Sequence, residues 1–405
     1  MGYQSKVFKS VSWMFLLRGV TRGLTFARLA VLGRILTPSE FGFFGIATLL
    51  LALLEILTET GINVFLVQQK SHIRKYIDSA WIVSILRGFI LSLLIFLSAQ
   101  FVSEFFSSPG AYRVIVLTAL IPLIRGFINP AIISYQKNLL FHKEFRFRTI
   151  LFSIDVLFSI IFGLLTKNAT SFVYGLIVSA LVEVILSHTL VSLHPKFKFE
   201  WKKVKFIIRK GWWVTLAGIL TYFGENGDNF IVGKIMGSTS LGIYQVAYKF
   251  STLPISEITA VVNQVIFPVF SNFSGDKTRL RNAFVKVTLI TGSMSVFLGL
   301  TIILFAESII LFVMGNQWSA AIPAVQVLAF YGILRTLFGN FAPLFLSVGK
   351  QNYVAQMTAA RLIGLVIFIV PFVTFFGLIG AGYAMLVSIF FEIPIALYFI
   401  KKVLY

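Results

Sequence analysis

Three arginines, Arg18, Arg22 and Arg28, stand in the first long apolar run of a 405-residue chain, and they carry its clearest chemical prospects. At about 100° per residue, Arg18 and Arg22 lie about 40° apart around a helix and Arg28 about 80° to the other side, so the three share one face. A guanidinium binds phosphate oxygens through paired, charge-assisted hydrogen bonds, which suits the trio to a diphosphate head group. Carboxylates stand in other apolar runs. Glu55 and Glu59 are one turn apart, Glu225 and Asp228 share a face, and Asp155, Glu183, Glu257 and Glu392 lie elsewhere. A carboxylate in a low-dielectric site can load and release a proton or bind Na⁺. Glu55, Glu59, Glu225 and Asp228 are therefore candidates for ion coupling or for charge pairing. Arg125, Arg335 and Lys249 are further intramembrane charges, and Arg87, Lys249 and Arg361 are near enough to a span end to snorkel.

An isolated charge at mid-membrane costs roughly 2.5–3.5 kcal/mol on insertion scales, so most of these groups must face a partner or water. Two readings are open. In one, the span 1 arginines neutralise carboxylates of span 2 or span 7 and serve packing alone. In the other, the charges line a hydrated cavity between two lobes, cationic on the N-terminal side and acidic on the C-terminal side.

The elements that position them are apolar helices. The chain is 58% hydrophobic and only 12% charged, with a net charge of +20 and no cysteine. A soluble domain of this length lacks the polar surface to cover so much apolar side chain. Runs of about 20–27 residues cross a hydrocarbon core of about 30 Å. Twelve are expected, at 10–33, 41–67, 79–101, 113–135, 147–166, 171–193, 211–233, 241–268, 287–306, 320–346, 354–375 and 378–400. The first is kept as a span and not a cleaved signal, because it carries three arginines and no convincing small-x-small site. With both termini placed in the cytoplasm, cytoplasmic segments hold twenty-three basic residues and outer loops four. That bias sets the orientation. It also accounts for the net charge without nucleic acid, for which no basic patch with stacking aromatics exists.

An internal repeat divides the chain. Residues 28–47 align with 228–247, so that Gly33, Ile35, Gly42 and Ala47 recur as Gly233, Ile235, Gly242 and Ala247. LIRGFINP (123–130) aligns with ILRTLFGN (333–340), which sets Arg125 opposite Arg335. The expected organisation is a six-helix lobe over 1–193, a basic cytoplasmic linker over 194–210 and a second six-helix lobe over 211–405. Lobes of even span number share one orientation, and their interface typically holds a substrate. Catalytic signatures do not emerge: there is no G-x-x-x-x-G-K-[ST], no G-x-S-x-G and no H-E-x-x-H. The chain is not expected to be an enzyme, to hold a metal or to need a cofactor. Without an ATP site, uphill transport would draw on an H⁺ or Na⁺ gradient, the membrane potential or substrate supply.

The run LAVLGRILTPSEFGFFGIA resembles the first hairpin of Wzx-type oligosaccharide flippases, of the polysaccharide-transport branch of the multidrug/oligosaccharidyl-lipid/polysaccharide exporter superfamily. The subgroup it looks like contains the colanic-acid and teichuronic-acid exporters. KNLLFHKEFRFRTI, GENGDNFIVGKIMGSTSLGIYQVAYKFSTLP, NQVIFPVFSNFSGDKTRLRNAF and MGNQWSAAIPAVQVLAFYGILR extend the likeness over nearly the whole chain. The resemblance implies an all-α polytopic protein with two parallel lobes around a central cationic cavity. It implies movement of a polyprenyl-diphosphate-linked oligosaccharide from the cytoplasmic to the outer leaflet by alternating access, in a bacterial inner membrane. The diphosphate role then carries over to Arg18, Arg22 and Arg28. The implied partners are the lipid-linked oligosaccharide, the bilayer, and polymerase and glycosyltransferase proteins. Two alternatives stand beside it: an ion-coupled small-molecule exporter, against which the span 1 arginines argue, and a membrane-embedded polysaccharide polymerase, which usually needs a large outer loop.

Overall fold

A computed structural model describes the backbone of residues 3–58, 74, 76–197 and 201–404, and among these residues there is no strand. The helices run in the order α1 (Tyr3–Ile35), α2 (Pro38–Leu57), α3 (Ile77–Phe105), α4 (Ala111–Thr118), α5 (Leu120–Arg125), a 3₁₀ turn (Pro130–Ile133), α6 (Ser134–Lys137), α7 (Phe141–Thr166) and α8 (Thr170–Thr189). After them come α9 (Trp201–Phe273), α10 (Lys277–Leu304), α11 (Ala306–Met314), a 3₁₀ turn (Asn316–Ala321), α12 (Ile322–Gly339), α13 (Phe341–Ser347) and α14 (Gln351–Leu404).

Among the described residues, seven helical stretches are long and apolar enough to cross a membrane: α2, α3, α7, α8, α10, Asn316–Ser347 and α14. The bent pair Ala111–Arg125 and Pro130–Lys137, turned by 76°, makes an eighth. The expectation of twelve differs from this for physical reasons. At 54 and 73 residues, α14 and α9 each exceed one crossing, and each is interrupted by a non-helical glycine, Gly377 and Gly237. Expected spans 11 and 12, and 7 and 8, lie on either side of those glycines. The first helix, α1, carries four arginines, Arg18, Arg22, Arg28 and Arg34, and is not among the apolar seven.

The outward faces are apolar, as lipid requires: Phe101, Leu165, Phe297, Leu304, Phe312 and Phe375 are all largely exposed. Between helices the residues are small. At Gly175 an added Cβ would collide with Ser159 and with the Asp155 carbonyl, so the glycine lets α8 lie directly against α7.

By contacts the chain forms two compact units, Met1–Gly227 and Asp228–Tyr405. The division falls inside α9, C-terminal to the expected 194–210 linker. Each unit keeps the repeat in its turns. The first break comes at Thr37 (φ −73°, ψ 160°) in one unit and at Gly237 (φ 80°, ψ 178°) in the other. Positive φ recurs at Ser107 and Gly315, at Leu139 and Gly349, and at Lys167 and Gly377. Around the middle pair even the hydrogen bonds repeat. Leu140 N donates to Tyr135 O and Leu139 N to Gln136 O, as Lys350 N does to Phe345 O and Gly349 N to Leu346 O. Both are Schellman-type helix ends, which satisfy the last carbonyls of the helix through a left-handed residue.

In the first unit α1 packs along α7, α7 along α8, and α5 lies against α3 and α8. In the second, α12 packs between α10 and α14. Its core is aromatic: Phe270, Phe284, Phe341, Phe345, Tyr353 and Phe399 pack together, the last two stacked with ring centroids 3.8 Å apart.

Candidate functional site

Expected span 4 is broken, and the break delivers Arg125. Pro122 lacks the amide hydrogen that a continuous helix would use, and the helix is interrupted between α4 and α5. The chain then turns at the fully buried Asn129. Asn129 N donates to Ser187 Oγ (3.0 Å), its Nδ2 donates to Leu193 O (2.7 Å), and its Oδ1 accepts from Ala131 N (3.0 Å). Trp81 Nε1 donates to Phe127 O (3.1 Å), so the irregular backbone is fastened from several sides. Arg125 closes α5 immediately before this turn and faces a cavity.

The cavity has a volume of about 860 Å³ and belongs wholly to the first unit. One face of α1 supplies Trp13, Leu17, Arg18, Thr21, Arg22 and Thr25, at helical spacing. The two threonines bond back to their own helix, Thr21 Oγ1 to Leu17 O (2.9 Å) and Thr25 Oγ1 to Thr21 O (2.8 Å). Phe141, Glu144, Arg148, Leu151, Phe152 and Asp155 come from α7 and its start, and Leu176, Ser179 and Glu183 from α8. Four guanidiniums, Arg18, Arg22, Arg125 and Arg148, thus share the walls with three carboxylates and with aromatic and aliphatic surface.

The carboxylates hold basic partners. Arg28 Nη1 is 2.8 Å from Asp155 Oδ2, and its guanidinium also lies 5.7 Å from the centroid of the Phe172 ring. Arg148 Nε is 3.0 Å from Glu144 Oε1 and its Nη1 3.4 Å from Glu183 Oε1. Arg125 Nε stands 3.5 Å from Glu183 Oε2. Asp155 also accepts from Ser159 Oγ (3.3 Å), and Glu144 from Gln136 Nε2 (3.1 Å).

The structure brings Arg18 and Arg22 together on the cavity wall and sets Arg28 behind it, against Asp155. Pairing of span 1 arginines with span 2 or span 7 acids is corrected at Arg28. Its partner comes from span 5, because the face of α1 that carries it packs on α7. Glu55 is half-buried, and its backbone carbonyl accepts from Arg87 Nη2 (2.7 Å), while Arg87 Nε reaches Thr58 Oγ1 (3.2 Å). Arg87 therefore covers the C-terminal end of α2, where a cation is favoured. Glu59 lies outside the described residues. Glu225 is exposed on the part of α9 that belongs to the first unit.

Asp228 belongs to the second unit and is buried, accepting from Tyr244 Oη (2.7 Å), Asn229 N (2.8 Å) and Asn229 Nδ2 (3.0 Å). Lys249 is half-buried on α9. Arg335 Nη1 donates to Tyr331 Oη (2.7 Å), and Arg361 Nη1 is 3.9 Å from Glu392 Oε2.

Sequence reasoning missed Glu144 and Arg148, which stand at the cytoplasmic end of expected span 5 (147–166). They stand in the first turns of α7, and with Asp155 they occupy positions i, i+4 and i+11 of one helix face, and that spacing was the available signal. Among the described residues no group of three or more metal-ligating side chains is present.

The profile of a family described as "Polysaccharide biosynthesis protein" matches residues 31–323. An "Uncharacterized membrane protein in cps region" of Klebsiella pneumoniae is 26% identical over 408 residues, covering 99% of this chain and 84% of that protein. The "Succinoglycan biosynthesis transport protein ExoT" of Rhizobium meliloti (strain 1021) is 25% identical, over 85% of this chain and 70% of its own. Among solved structures, the lipid II flippase MurJ in an inward closed conformation superposes with a TM-score of 0.78 at 14% identity, covering 95% of this chain and 87% of that one. The fold is that of an all-helical, multi-pass membrane transporter of this type.

Proposed function

We propose that this chain, which belongs to the polysaccharide biosynthesis protein family, moves a polyprenyl-diphosphate-linked oligosaccharide from the cytoplasmic to the outer leaflet by alternating access. The observation that carries the reading is the arginine-lined cavity of the first unit. Arg18 and Arg22 from α1, Arg125 from α5 and Arg148 from α7 converge on one space of about 860 Å³. Guanidiniums on three helices match a diphosphate, which offers acceptor oxygens in several directions. Trp13, Phe141 and Phe152 add aromatic faces against which sugar rings can lie. Arg28 joins the set when Asp155 gives it up.

The names of the relatives, which speak of polysaccharide biosynthesis and transport, support the same cargo class. A small cationic drug, the cargo of an ion-coupled exporter, would meet repulsion from these guanidiniums. Transport, not catalysis, is what the residues serve. Coupling to an H⁺ or Na⁺ gradient falls to the carboxylates Glu55, Glu59, Glu225 and Asp228, and Asp228 is buried and held by Tyr244. The basic bias of alternate loops supports cytoplasmic termini in a bacterial inner membrane. Polymerase and glycosyltransferase proteins are the partners that make and consume such a lipid.

The test is export in cells. Arg22→Ala, expressed at the wild-type level in a host lacking its own flippase, is expected to lose polymer export, and Arg22→Lys to restore part of it. Full export by Arg22→Ala would remove Arg22 from the reading.

A further inference from the structure

Two carboxylates face Arg148, and they are held differently. Glu144 accepts from Arg148 Nε at 3.0 Å and from Gln136 Nε2 at 3.1 Å, both ordinary hydrogen-bond lengths. Glu183 bridges two arginines at longer range, with Oε1 3.4 Å from Arg148 Nη1 and Oε2 3.5 Å from Arg125 Nε. Its side chain is only 10% exposed. On the other side of the contact, Arg125 Nε is buried and lacks an acceptor at hydrogen-bonding geometry. One carboxylate thus spreads over two guanidiniums and satisfies neither fully. Such an arrangement neutralises charge while leaving donors for a stronger acceptor.

We infer that Glu183 is an internal counter-anion, which occupies the inner edges of Arg125 and Arg148 when the cavity is without substrate and yields them when a diphosphate arrives. This rests on the diphosphate reading of the cavity. A diphosphate carries more charge and more acceptor oxygens than a carboxylate, so it displaces Glu183 while making shorter, paired bonds. On its departure Glu183 returns and again neutralises the two guanidiniums, whose side chains are 37% and 46% exposed. Exchanging one anion for another keeps affinity moderate, and a transporter must release what it binds. Glu183 is a positioning residue here: it touches the arginines, and its effect on cargo passes through them.

The experiment is titration of the full-length purified protein with inorganic pyrophosphate, followed by calorimetry and by dissociation rate. Glu183→Gln removes the charge and keeps the shape, and it is expected to bind pyrophosphate about tenfold tighter and to release it more slowly. Glu183→Asp keeps the charge and stays within about twofold of wild type. A residue needed only for packing would, when replaced, weaken binding or leave it unchanged. Arginine-dependent binding with Glu183→Gln at or below wild-type affinity therefore overturns the inference alone. Binding that is unchanged in both Arg22→Ala and Arg125→Ala overturns the diphosphate reading and the inference together. Should Glu183→Gln not fold, infrared difference spectra of the wild type decide. Pyrophosphate must shift a carboxylate stretch that moves in Glu183→Asp, and the absence of such a band overturns the inference.

Discussion

The two units share their turns and differ in their charges. The helix breaks at Thr37 and Gly237, and the chain takes positive φ at Ser107 and Gly315, Leu139 and Gly349, and Lys167 and Gly377. Among the described residues, each left-handed position in the second unit is glycine, and none in the first is. The intramembrane charges diverge further. The first unit gathers Arg18, Arg22, Arg125 and Arg148 with Glu144, Asp155 and Glu183 around one open space. In the second unit Asp228 is capped by a tyrosine, Arg335 donates to a tyrosine, and Arg361 faces Glu392 at 3.9 Å. Turn geometry is what a repeat must keep for its helices to return at the right places. Charge is what it can change, and here one copy has become the polar one.

The largest expected effect separates the buried acids. Asp155→Ala leaves Arg28 without its 2.8 Å partner in a site where the arginine side chain is only 14% exposed. Removing one member of such a pair costs about 3–5 kcal/mol. Asp228→Asn keeps an acceptor for Tyr244 and costs about 1 kcal/mol. Thermal unfolding in detergent would show a large drop for the first and a small one for the second, and Arg28→Leu/Asp155→Leu should recover most of the loss. Equal drops for the two single variants would erase the distinction between a charge pair and a capped acid.

Next in size is the contrast between repeat-equivalent arginines. Arg125→Ala is expected to weaken pyrophosphate binding about tenfold, or about 1.4 kcal/mol. Arg335→Ala, whose guanidinium donates to Tyr331, should stay within about twofold of wild type. Titration of both variants checks this, and a loss of equal size at Arg335 would assign anion binding to both units.

A contrast of similar or smaller size concerns the turns. Gly349→Leu places a branched side chain at φ 71° and should cost about 1–2 kcal/mol. Leu139→Gly, at φ 56°, relieves that conformation but frees the unfolded backbone, so its net gain is at most about 0.5 kcal/mol. Unfolding curves of the two variants, shifted in opposite directions, would support equivalent turns with unequal tolerance.

Much of the scaffold was legible in the sequence. Apolar runs mark the helices because lipid permits little else, and the glycine spacing around Gly33 and Gly233 exposes the repeat. The division between units was less legible: it falls at Gly227, within one continuous helix, where composition does not change. Arg18 and Arg22 could be placed on one helix face from spacing alone. Which partner faces Arg28 could not, because pairing across helices depends on packing, and α1 packs on α7. Arg148 escaped notice since it stands at the very start of the apolar run that marks its helix, and Arg125 was seen as a charge without the broken helix that aims it. Polar residues at helix ends read as loop until the fold shows which way they face.

The central claim is that the first unit's arginines move a lipid diphosphate, and reconstitution tests it most directly. Full-length protein in vesicles would be given a polyprenyl-diphosphate-linked sugar on one leaflet, and its appearance on the other timed. Wild type should speed the crossing well above protein-free vesicles, and the double variant Arg18→Ala/Arg22→Ala should fall to the protein-free rate while remaining folded. A double variant that flips the lipid as fast as wild type would contradict the claim.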